Sequence, residues 1–139
     1  MNPVVHFELP AGDTKRMTDF YTRAFGWQTK RLGPEMGNYV VVMTTESDEN
    51  GPKKPGAING GFFEKTKNNQ HPVVTIAVDD IRAAMKQVEE AGGKVIGGQK
   101  PGEPDDIPGI GTYIAIVDTE GNRVSLLQPL PRMDVRPGS

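Results

Sequence analysis

The chain has 139 residues, 24% of them charged, a formal net charge of −2 and no cysteine. That length suits one domain, residues 1–139, with a single sizeable core, and the charge balance creates no field that would favour nucleic acid or a membrane surface. Disulfides, thiolate chemistry and cysteine-based zinc sites are excluded; with no long apolar run and no charged-then-apolar leader, a soluble cytoplasmic protein is the expectation.

Val4 to Leu9 alternates in character, with Val5, Phe7 and Leu9 on one face and Val4, His6 and Glu8 on the other, the pattern of a half-buried strand. Pro10 and Gly12 end it, and Asp13 is placed to cap a helix whose apolar stripe is Met17, Phe20, Tyr21, Ala24 and Phe25, stopped at Gly26. Strands are predicted at Trp27 to Leu32 and Tyr39 to Thr44, then an exposed polar loop from Glu46 to Pro55. Gly56 to Glu64 reads as a strand in which Asn59-Gly60-Gly61 marks a bulge or a close backbone approach.

The order then repeats. Sliding the segment Val4–Trp27 forward until Val4 meets His71 sets Phe7 on Val74, Leu9 on Ile76, Asp13 on Asp80, Tyr21 on Val88 and Gly26 on Gly93. Val73 to Val78 is a strand. Asp79 or Asp80 caps a helix with Ile81, Ala84, Met85, Val88 and Ala91 in one stripe, and Gly92-Gly93 ends it. A strand opens at Val95, a turn-rich loop covers Gly97 to Gly109, and Thr112 to Val117 and Arg123 to Gln128 are joined by a tight Asp118–Asn122 turn. The expected fold is therefore α+β: two tandem βαβββ modules, about 3–64 and 71–129, forming an open curved sheet (an incomplete barrel) with helices outside. A flexible tail, 130–139, follows.

Four segments carry a resemblance: VVHFELPAGDTKRMTDFYTRAFGW, GAINGGFF, VVTIAVDDIRAAMKQVEEAGGKV and YIAIVDTEGNRVSLLQP. Together they resemble the vicinal oxygen chelate superfamily of glyoxalases, bleomycin-resistance proteins and extradiol dioxygenases, over nearly the whole chain. The last segment is similar to that family's D-P-x-G-N signature, with Thr119 where the family has proline. The resemblance implies a homodimer, and lyase, isomerase or dioxygenase chemistry as possible activities. It also implies four inner-face metal positions, which fall on His6, near Asn59, on Val73 and on Ser125. Valine cannot bind a metal, and three strong ligands are the usual minimum, so no metal cofactor is expected. A displaced set of His6, Glu8 and His71 is the weak alternative, supported by residue type and strand parity.

Parity alone gives an inner-face list: His6 and Glu8 from the first strand, Thr75 from the second module, Arg123 and Ser125 from the last strand. His6 is either a general base or a hydrogen-bonded cavity residue. Glu8 either pairs with Arg123 or has a perturbed pKa. Tyr39 and Tyr113, at matching positions, either offer rings and hydroxyls to a ligand or pack across strands. No serine–histidine–acid triad has support. The expected ligand-binding set is thus His6, Glu8, Tyr39, Asn59, Thr75, Tyr113, Arg123 and Ser125, with His6 and Glu8 as the catalytic pair if the chain is an enzyme. The leading expectation is a metal-independent small-molecule binding protein of the glyoxalase/bleomycin-resistance type. The alternative is a lyase, isomerase or dioxygenase of that superfamily, metal-dependent or metal-free.

Overall fold

Side-chain alternation in the first eight-residue strand, β1 (Val4–Ala11), puts Leu9 against the first helix and leaves His6 and Glu8 on the opposite face. The computed structural model describes residues 1–131, so positions 132–139 of the expected tail lie outside the described residues. Two compact units divide the chain, Val5–Val74 and Thr75 onward together with Met1–Val4.

In the first unit β1 is followed by α1 (Thr14–Phe25), β2 (Gln28–Arg31), β3 (Val40–Met43), β4 (Ser47–Asp48), β5 (Gly51–Pro52) and β6 (Asn59–Glu64). Asp13 caps α1 by accepting the Arg16 backbone N–H at 3.0 Å, and Gly26 ends it at φ 74°, a left-handed conformation that costs glycine little. The half-sheet runs β2-β3-β6-β1, with β1 and β6 parallel and the other pairs antiparallel. Val40, Val42 and Phe62 are its buried centre, packed by Leu9, Met17, Tyr21 and Trp27. The Tyr21 and Trp27 rings lie nearly parallel, 4.6 Å apart. Burying Phe62 completely is worth about 1.5–3 kcal/mol on its own.

The second unit contains β7 (Val73–Ala77), α2 (Ile81–Glu90), β8 (Lys94–Gly97), β9 (Asp105–Ile107), β10 (Gly111–Val117) and β11 (Arg123–Pro129). Its half-sheet runs β7-β11-β10-β8, with β9 also on β10. Again the first and last strands of the module are parallel. Asp80, not Asp79, caps α2 through the Arg82 and Ala83 N–H groups, while Gln128 Oε1 accepts from Ile81 N–H at 2.9 Å. Val78, Ile81, Ala84, Ile114, Ile116 and Leu126 make the buried core.

The predicted α+β order therefore stands in both halves, with three local corrections. The polar loop Glu46–Pro55 folds into the β4–β5 ribbon, held by its own backbone and by Lys53 on Glu46 at 3.2 Å. The loop Gly97–Gly109 contains β9. Asn59-Gly60-Gly61 forms no bulge, since β6 pairs with β1 residue for residue from Asn59 to Glu64. Past β11, Leu130 N–H bonds Ile110 C=O at 3.1 Å.

Candidate functional site

In the first unit the β1–β6 ladder sets His6 beside Asn59 and Glu8 beside Gly61, and the β3–β6 ladder sets Gly61 beside Val41. Residues directly opposite one another share a face. Tyr39, two residues before Val41, belongs to the same face, and its ring lies directly over Gly61. A Cβ at Gly61 would overlap the Tyr39 hydroxyl and ring, so only glycine permits this seat. The neighbouring Gly60 serves the other face, where a Cβ would meet the Phe7 ring at 2.5 Å. The glycine pair thus admits one aromatic ring on each side of the sheet.

Seated there, the Tyr39 hydroxyl lies 3.2 Å from His6 Nε2, within hydrogen-bonding distance. Burial disfavours the charged imidazolium and pushes the His6 pKa below its ordinary 6.5. His6 is therefore a neutral imidazole at neutral pH, able to take a proton from a ligand or to accept the Tyr39 hydroxyl.

The second unit builds the corresponding ladder with different side chains. Ser125 pairs with Thr75 on one side and Ala115 on the other. Tyr113, two residues before Ala115, receives the Ser125 Oγ hydrogen bond at 2.9 Å. Both Ser125 and Thr75 are buried. Because the sequence repeat sets Glu8 on Thr75, the first-unit counterpart of Ser125 is Gly61, and Tyr39 and Tyr113 are counterparts by ladder position as well as by sequence. Each tyrosine is turned onto that one strand position in its own half. Arg123 begins β11, and its Nε is buried with no hydrogen-bond partner among the described residues.

The hairpin that delivers Arg123 and Ser125 is fixed by Asp118. Its carboxylate accepts the Asn122 side-chain amide at 3.0 Å and the Asn122 and Glu120 backbone N–H groups at 2.9 and 2.8 Å. These bonds, the Asn122 side chain first, hold its pKa below the usual carboxylate value. The Asp and Asn of the D-x-x-G-N segment are thereby a turn device that sets strand register.

Asn59 is on the expected strand, but both polar atoms of its amide are engaged: Oδ1 accepts from Thr44 N–H at 3.0 Å and Nδ2 donates to Ser47 Oγ at 2.8 Å. It ties β6 to the β3–β4 connection. His71 is exposed and precedes Pro72, ahead of β7. Among the described residues no three or more His, Asp or Glu side chains gather in a way that could hold a cation, so the His6, Glu8 and His71 set is not assembled.

The four positions that the family resemblance assigns to metal ligands hold an imidazole facing Tyr39, an engaged amide, a valine and a serine turned to Tyr113. That donor set does not fit a tightly bound transition metal. Residue type and strand parity point to His6 and Tyr39 separately and do not predict their pairing. Its signal was the double glycine on a strand neighbouring a tyrosine.

Comparison with known proteins follows the fold. The Glyoxalase/Bleomycin resistance protein/Dioxygenase superfamily profile matches residues 4–126. A probable lactoylglutathione lyase of Vibrio cholerae is 30% identical over 90% of this chain and 89% of its own length. A probable chloroplastic lactoylglutathione lyase of Arabidopsis thaliana is 30% identical over 86% of this chain, which spans only 33% of that protein. Among solved structures, methylmalonyl-CoA epimerase from Mycobacterium tuberculosis superposes with a TM-score of 0.64 at 12% identity, covering 92% of this chain and 88% of that one. At that identity the likeness is one of fold.

Proposed function

This chain belongs to the Glyoxalase/Bleomycin resistance protein/Dioxygenase superfamily, and from that premise we propose that it binds a small organic molecule on the sheet face carrying His6 and Glu8, without a metal. The observation that carries the reading is the neutral, half-buried His6 held against the Tyr39 hydroxyl over Gly61. A fixed donor–acceptor pair on a partly apolar surface orients a ligand without requiring a charge. Valine at one of the family's ligand positions, and a serine bonded to tyrosine at another, favour the metal-free form of this reading.

The test is a thermal-shift screen of aromatic and planar cationic compounds on chelator-treated protein, repeated on His6→Gln. Compounds that raise the melting temperature of the parent protein and lose the effect in His6→Gln support the proposal. Binding that appears only when a divalent cation is added overturns it.

A second reading, a metal-free lyase or isomerase with His6 as general base, is favoured by the lowered His6 pKa and by the lyase names of the relatives. Turnover of lactoylglutathione by the parent protein, abolished in His6→Gln, would select it. Either form is compatible with a second copy of the chain as partner. Phe20 and Phe25 of α1, 57% and 63% exposed, offer the apolar surface for pairing. Light scattering of the purified protein reads the mass.

A further inference from the structure

A concavity of about 570 Å³ lies in the first unit on the helix side of the half-sheet, on the face opposite His6. Phe7 and Trp27 supply its aromatic wall, Thr44, Thr45 and Ile58 line the strand ends, and the loop from Lys54 to Ala57 closes one side. No residue of α1 is among those that line it.

Its aromatic wall is already fixed. Trp27 stacks on Tyr21 at 4.6 Å and 9°, and Phe7 lies 5.7 Å from Trp27 in the space that Gly60 leaves open. A ligand ordered against these rings therefore adds little cost in side-chain freedom. Of the lining residues only Lys54 carries a charge. The adjacent lysine, Lys53, is held by Glu46, whereas Lys54 forms no ion pair among the described residues.

We propose that this cleft is a binding site for a planar aromatic anion, with the ring system against Trp27 and Phe7 and the carboxylate or sulfonate facing the Lys54 ammonium. The volume lies within the ordinary range of small-molecule sites, and a mostly apolar lining with one charged group is their usual composition. Strand parity separates this site from the His6 face, so occupancy of one does not require occupancy of the other.

Trp27 is the only tryptophan in the chain, so its indole N–H gives a single resonance that reports directly from the wall of the cleft. The experiment titrates 2-naphthoate into isotope-labelled protein while following that resonance, with neutral 2-naphthamide as the uncharged comparison. The expected result is a saturable shift of the indole signal by naphthoate, with naphthamide about fivefold weaker, the difference appropriate to one partly exposed ion pair. Lys54→Gln should reduce naphthoate affinity by about the same factor, and Lys53→Gln should leave it unchanged. Both substitutions lie on an exposed loop, so the fold is not at stake. An indole resonance that does not move, equal affinities for the acid and the amide, or equal effects of the two lysine variants would each overturn the proposal.

Discussion

Replacing Gly61 with alanine is the sharpest perturbation of the candidate site, because one methyl group is directed at one ring. The Cβ would occupy the space of the Tyr39 hydroxyl and ring edge, so Tyr39 must leave its seat and the 3.2 Å approach to His6 must open. Gly61 is not in the left-handed region, so the cost is steric and not conformational. Overfilling a packed position costs about 1–3 kcal/mol, and loss of a part-buried hydrogen bond adds about 0.5–1.5 kcal/mol. Alanine returns about 0.5–1 kcal/mol by restricting the unfolded chain. The net destabilisation is about 0.5–4 kcal/mol, or roughly 2–14 °C in melting temperature for a chain of this size. Thermal and urea unfolding measure it, and an imidazole titration by NMR should show the His6 pKa rising toward 6.5 as the ring is uncovered. A double-mutant cycle with Tyr39→Ala isolates the cause. With the ring gone, Gly61→Ala should cost little or become favourable. An undiminished cost in the Tyr39→Ala background would refute the account of why glycine stands there.

Ser125→Ala removes the hydroxyl that bonds Tyr113 from a fully buried position, and should cost about 1 kcal/mol by urea denaturation, with little change in core packing. For His6 the sign is fixed by its lowered folded pKa: the unfolded chain binds the proton more readily, so stability is fully present above the unfolded value of 6.5 and falls as pH drops through the folded pKa. His6→Gln should flatten that acid limb of the stability profile, and an unchanged limb would show that His6 is not its source. Tyr21→Ala, which strips a ring in contact with Phe20, Phe25, Trp27 and Phe62, should cost about 3–5 kcal/mol, and its repeat counterpart Val88→Ala about 1–3 kcal/mol. Negligible loss at both would mean that the two helices do not pack as described.

The repeated strand–helix–strand order could be read in the chain because its signals are local. Asp13 and Asp80 cap helices, Gly26 stops one, and the stripes containing Tyr21 and Val88 carry the helical period. The β4–β5 ribbon was hidden, since two-residue strands in a polar stretch have no period to detect. The Asn59-Gly60-Gly61 interruption was ambiguous for a different reason. A glycine in a strand signals that something comes close, but not what, and the answer here lies on neighbouring strands: Tyr39 from β3's approach on one face and Phe7 from β1 on the other. Strand parity placed His6 and Ser125 on the right faces, yet their partners depend on ladder register, which sequence alone leaves open. The same limit explains Asn59, whose strand was read correctly while its amide was committed to Thr44 and Ser47.

The two halves show how a fold can persist while its chemistry changes. Backbone ladders, the Asp13 and Asp80 caps and the Asp118 turn fix where the inner-face positions lie, and none of these devices uses the side chains at those positions. Gly61 and Ser125 occupy equivalent places, one vacated so that a tyrosine ring can lie across the strand and the other holding a hydroxyl that reaches the matching tyrosine. Either choice satisfies the local packing and hydrogen bonding, so selection on stability does not force the halves to agree. What distinguishes them is what remains chemically open. In the first half the tyrosine meets a titratable imidazole, whereas in the second it meets a buried serine with no proton to exchange near neutral pH. On the proposed reading of the His6 face as a ligand site, substitutions at His6 and Gly61, and not at Ser125, should therefore alter the pH dependence of ligand binding.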